Sequence, residues 1–128
     1  MISTLSSHPN VAVGLGVSQL AQLGEDTCPM AEWIYFLHTP RENFAATMTD
    51  EERAVWSEHF DRFTRLLAEG TIILVGPTLG RINTGIAIFE APDEATAQRI
   101  VEEDPVIAGG YARAELRPFR VSLLRGRD

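Results

Sequence analysis

From Glu32 onward the chain alternates between short apolar runs and longer stretches in which apolar residues recur every three or four positions. Trp33-Ile34-Tyr35-Phe36-Leu37 is aromatic and β-branched, the pattern of a strand with both faces covered. It ends at His38-Thr39-Pro40, where proline halts regular pairing. A polar loop over 39–49 leads into Thr49-Asp50-Glu51-Glu52. That Thr-x-x-Glu spacing lets Thr49 cap a backbone N–H while Glu52 reaches back. It predicts a helix from Asp50 to Glu69, stopped by Gly70. Thr71 to Val75 predicts a strand closed by Gly76-Pro77, and Thr84 to Glu90 predicts another. The link over 78–83 is short and holds turn formers, so these two strands are expected to form a hairpin. Pro92-Asp93-Glu94 opens a second helix, with Asp93 as N-cap, and Asp104-Pro105 closes it. After Gly109-Gly110, Ala112 to Leu123 alternates as a last strand.

The order β-α-β-β-α-β predicts an α+β, ferredoxin-like fold: an antiparallel sheet with both helices on one face. The strands carry apolar residues on both faces (Ile72 and Leu74 against Ile73 and Val75), so the open face needs cover. A homodimer packing sheet on sheet is the simplest solution. Residues 1–30, rich in Ser, Gly and small apolar residues, read as a loosely ordered N-terminal extension before a domain over 31–125. A short helix around Val17 to Leu23 docking on a partner subunit is the alternative, and Met30 is a candidate second translation start.

Composition narrows the partners. The net charge of −7 argues against nucleic acid, although five of the eleven arginines fall in the last 16 residues; the chain contains no lysine. No apolar run approaches the roughly 20 residues needed to cross a bilayer, so no membrane association is expected. The first basic side chain is Arg41, which leaves no charged region for a secretory signal, and Cys28 is the sole cysteine. A cytoplasmic protein is expected.

On a wheel at about 100° per residue, Val55, Leu66, Phe63, Trp56, Leu67 and Phe60 of the first helix fall within an arc of about 140°. His59 lies inside that arc and is expected to face the sheet. On the second helix, Ala97, Ile100 and Val101 form the apolar face, and Asp104 extends the row at i+4 from Ile100. Both helices lie on the same side of the sheet, so imidazole and carboxylate can meet between helix and sheet. There the carboxylate would fix the tautomer and orient the ring of a general acid or base. The same spacing also fits a hydrogen-bonded core histidine and an Asp-Pro that merely stops a helix.

The run His59-Phe60-Asp61-Arg62-Phe63, then Gly76-Pro77, Glu94-Ala95, Glu103-Asp104-Pro105-Val106-Ile107-Ala108-Gly109-Gly110-Tyr111 and Arg117-Pro118-Phe119, resembles the YCII-related (YciI-like) family over about 32–123. The resemblance implies a ferredoxin-like fold, a dimer of the dimeric α/β-barrel kind, and a His–Asp active site at His59 and Asp104. Members of that family include a chlorohydroxyquinol dehydrochlorinase, and muconolactone isomerase-like proteins share the fold. This chain differs from shorter members in the extension before Met30 and in the longer loop over 39–49.

That loop puts Arg41 beside His38, and either is a candidate for binding an anionic substrate group at the pocket mouth. Tyr111, after two glycines, is a candidate hydrogen-bond donor to the groove. The three histidines lack metal-ligand spacing and Gly14-Leu15-Gly16 lacks a third glycine, so neither metal nor cofactor is expected. The expected function is proton transfer by His59, oriented by Asp104, on a small organic substrate, in an isomerisation, elimination or dehydrochlorination. The alternatives are a non-catalytic dimer that binds a metabolite or protein through the same groove, and a purely structural domain.

Overall fold

A computed structural model of the chain describes Val11–Val13 and residues 30–126. The elements are β1 (Val11–Val13), β2 (Ala31–His38), α1 (Phe44–Thr47), α2 (Asp50–Ala68), β3 (Ile72–Pro77), β4 (Thr84–Ala91), α3 (Glu94–Glu102), α4 (Pro105–Ala108) and β5 (Arg113–Phe119). The sheet order is β1-β5-β2-β4-β3. Its last four strands are antiparallel, in the order that two interlocked β-α-β units produce, so the α+β ferredoxin-like fold is present. Among the described residues no helix is long and apolar enough to cross a membrane.

The local signals explain where the main helix begins and ends. The Thr49 hydroxyl accepts from the Glu52 N–H at 3.1 Å, and the Glu52 carboxylate accepts from the Thr49 N–H at 2.8 Å. At the other end Gly70 takes φ +88°, a left-handed conformation that costs glycine nothing. The Asp93 carboxylate caps α3 by accepting from the Thr96 N–H at 2.8 Å.

Alternation along β2, β4 and β5 sorts the two faces, whereas a bulge in β3 puts Ile72 in the core and Leu74 on the open face, not on the shared face expected for them. Trp33, Tyr35 and Leu37 of β2 join Ala87, Phe89 and Ala91 of β4, with Ala114 and Leu116 of β5, beneath the helices. Ile34, Phe36, Ile86 and Leu74 belong to the open face, which β5 makes partly polar with Arg113, Glu115 and Arg117.

Four further features depart from the reading of the sequence. The loop over 39–49 contains α1, because Phe44 is drawn inward to 2% exposure and packs on Trp56 with ring centroids 4.6 Å apart. The last strand stops at Phe119, opposite Glu32 near the start of β2, and the Val121 N–H beyond it turns to the Glu32 carboxylate at 2.7 Å. Phe60 and Leu67, together at one edge of the apolar arc of α2, are exposed. Finally, Val11–Val13, within the region expected to be loose, runs as a strand parallel to β5. The alternative helix over 17–23 lies outside the described residues.

The loop containing α1 is fastened to α2 by charge. Arg41 donates from Nη1 and Nη2 to the two Glu52 carboxylate oxygens at 3.0 and 2.7 Å, and from Nη2 to the Thr47 carbonyl at 2.6 Å. Its guanidinium also lies 5.1 Å from the Phe44 ring centroid. The hydrogen bonds from Arg41, aided by the Thr49 N–H, hold the Glu52 carboxyl down to about 2. A depressed carboxyl contributes stability above its ordinary pKa near 4.5, and loses that contribution as pH falls toward the folded value. Glu52→Gln keeps the cap geometry but not the charge. The melting-temperature advantage of the wild type over this variant is therefore expected to shrink steadily as pH falls from about 5 to about 2. A gap that stays constant in thermal melts across that range would show that the charge of Glu52 contributes nothing.

Candidate active site

His59 sits on the inner face of α2, within the apolar arc, and is 8% exposed. Asp104 is fully buried. It does more than end α3: it is the N-cap of α4, its Oδ1 accepting from the Val106 N–H at 3.1 Å, and Pro105 occupies the first helical position where no N–H is needed. This cap fixes the carboxylate between the helices and the sheet. The His59 Nδ1 lies 2.8 Å from both Asp104 oxygens. An ionised carboxylate can only accept, so Nδ1 carries the proton and donates it, and in the neutral ring the lone pair is then on Nε2.

A third group completes the cluster. The Tyr35 hydroxyl, on the covered face of β2, donates to Asp104 Oδ2 at 2.9 Å. Burial, then the charge of Asp104 and this hydrogen bond, push the Tyr35 phenol well above its ordinary pKa, with Arg62 opposing, so it stays a donor. Arg62, one turn beyond His59, ties α2 to α3 by donating to the Ile100 carbonyl at 2.9 Å.

Beside His59 lies a cavity of about 330 Å³ between α2, α1 and the β3–β4 side of the sheet. His59 lines it, and none of the hydrogen bonds among the described residues engages Nε2. The imidazole stands in a row of aromatic rings. Trp56 is 6.0 Å from it and Phe63 is 4.4 Å from it, centroid to centroid, and Tyr35 meets Phe63 edge-on at 6.1 Å. Among the described residues no three His, Cys, Asp or Glu side chains gather in a metal-binding arrangement.

A family model, the YCII-related domain, matches residues 33–120. The chain belongs to the YCII-related domain family. A comparison with curated proteins gives no match.

The match runs from within β2 to just past the end of β5, and so contains both His59 and Asp104. Three other candidate residues of this YCII-related domain lie elsewhere than expected. Arg41 does not line the cavity, because Glu52, Thr47 and the Phe44 ring occupy its guanidinium. His38 lies on the open face, its Nε2 3.5 Å from Glu115 Oε1, and is likewise absent from the lining. Tyr111 rests against Gly109, where an added Cβ would come within 2.9 Å of its ring, and its hydroxyl donates to the Glu51 carboxylate rather than into the cavity.

Residues that the pattern treated as plain core also shape the site. Tyr35 was legible as an inward strand position, and a hydroxyl on such a position must find a partner. Phe44 carried no signal, since a single aromatic in a polar loop has no periodicity to betray it.

Proposed function

We propose that this chain is a cofactor-independent enzyme in which His59 moves a proton through Nε2 while Asp104 and Tyr35 hold the ring. In such a step Nε2 takes a proton from a substrate carbon, the C–H electron pair stays on the substrate, and the imidazolium is balanced by Asp104. Return of the proton to a different atom completes an isomerisation. Departure of a leaving group with its bonding pair completes an elimination instead. General acid–base assistance of this kind contributes about 10²–10⁴ in rate.

The observation that carries the reading is a histidine whose Nδ1 is locked on a buried carboxylate while its ring lines a cavity. A binding module would be free to bury both groups with every atom satisfied. A purely structural domain would need no cavity beside His59. The test is a metabolite-library thermal-shift screen run on wild type and His59→Asn in parallel, followed by turnover assays on each hit. Hits converted by the wild type and not by the variant support the reading. Hits that bind both proteins and are converted by neither favour a metabolite-binding module.

We further propose that a second copy covers the open sheet face, where Ile34, Phe36, Ile86 and Leu74 form an apolar strip flanked by Arg113, Glu115 and Arg117. Phe36→Glu is expected to convert a dimer into a monomer in sedimentation velocity; a wild type that already sediments as a monomer overturns this.

A further inference from the structure

Resting on the acid–base reading of this site, we infer that the substrate is an uncharged, mainly hydrocarbon ring compound with one polar group set against His59, and that the cavity refuses carboxylates and phosphates. The ionisable residues that line the cavity are Tyr35 and His59. No arginine is among the lining residues, and the chain has no lysine. The nearby cations are turned elsewhere: Arg41 is held by Glu52, and Arg62 donates to the Ile100 carbonyl. An anion entering this space would surrender its water with no unpaired positive charge to replace it, since an imidazolium at His59 is already balanced by Asp104, and that is costly for a carboxylate. The net charge of −7 adds a repulsive field outside.

The neutral polar groups of the wall are already engaged. The Asn83 side chain donates to the Thr78 and Gly80 carbonyls at 3.3 and 3.2 Å and accepts from the Ala45 N–H at 3.1 Å. The Thr39 hydroxyl donates to the Asn83 carbonyl at 2.9 Å, and the Tyr35 hydroxyl is given to Asp104. What remains is the Nε2 of His59 as the polar feature facing a guest, with Phe44, Trp56 and Phe63 around it. Along the row Phe44, Trp56, His59, Phe63 successive rings are inclined at 52–58°, so their faces and edges suit a flat ring, and Phe60, 63% exposed, adds a further ring to the wall near solvent. Selection by shape and by the exclusion of charge is what such a wall provides.

The experiment is isothermal titration of the full chain at neutral pH with three probes of similar ring size: 4-methylphenol, 4-methylbenzoate and benzyltrimethylammonium. The neutral probe is expected to bind at least about tenfold tighter than the carboxylate, and tighter than the cation. Ala45→Trp fills the rim without removing the backbone N–H that Asn83 uses, and is expected to weaken the neutral probe by about tenfold or more. Equal affinities, a preference for the carboxylate, binding by none of the probes, or an Ala45→Trp variant that binds normally each overturn the inference. A preference for the ammonium probe overturns it too, in favour of an aromatic cation cage. The outcomes separate from those of the acid–base reading. Neutral selectivity can survive in a protein whose turnover does not depend on His59, and a His59-dependent turnover can coexist with equal affinities.

Discussion

His59→Asn is expected to lower turnover by about 10²–10⁴ while leaving the protein folded. The asparagine amide reaches the position of Nδ1, so it still donates to Asp104 and keeps the carboxylate paired. What it lacks is any atom where Nε2 stands. His59→Ala removes both atoms, leaves Asp104 with only the Tyr35 hydroxyl and the Val106 N–H, and is expected to lose stability as well as activity. Comparing the two variants by steady-state kinetics and urea unfolding separates the proton-transferring atom from the structural one. A fully active His59→Asn variant would remove the imidazole from the chemistry.

The largest stability effect is expected at Asp104. Its two oxygens accept from His59 Nδ1, the Tyr35 hydroxyl and the Val106 N–H, all within 3.1 Å and with no exposed surface. Asp104→Ala strands all three donors and uncaps α4, a loss of about 3–5 kcal/mol in urea unfolding. Asp104→Asn is the subtler case. Its amide keeps the shape, but its NH₂ can sit opposite Nδ1 only if the ring carries its proton on Nε2, the wrong tautomer for a base. Most of the fold is then expected to survive while turnover falls by about 10²–10⁴. A loss under about 1 kcal/mol for Asp104→Ala would mean the cluster is not held together by the carboxylate.

Much of the fold was legible because its signals are local. Thr49 with Glu52, Asp93 and Gly70 each act on backbone groups a few residues away, so their spacing alone marks the helix ends. The pairing of His59 with Asp104 was legible for a different reason. Each lies on the inward side of its helix end or helix face, and the topology puts both helices on one side of the sheet. What escaped depends on distant partners. β1 pairs with a strand about a hundred residues away over three positions, too short a run to pattern. Phe44 is inside only because Trp56 is there to receive it. Arg41 looked available to a substrate because nothing in the spacing reveals that the capping glutamate, Glu52, would also take the guanidinium.

The N-cap duty of Asp104 has a consequence for redesign. A side chain that at once starts a helical turn, seats the base and receives a phenol cannot be traded without disturbing all three. Altered specificity is therefore best sought at Ala45, Met48 and Val75, which line the cavity and have no part in that junction. The wall can diversify around a proton-handling centre that must stay as it is.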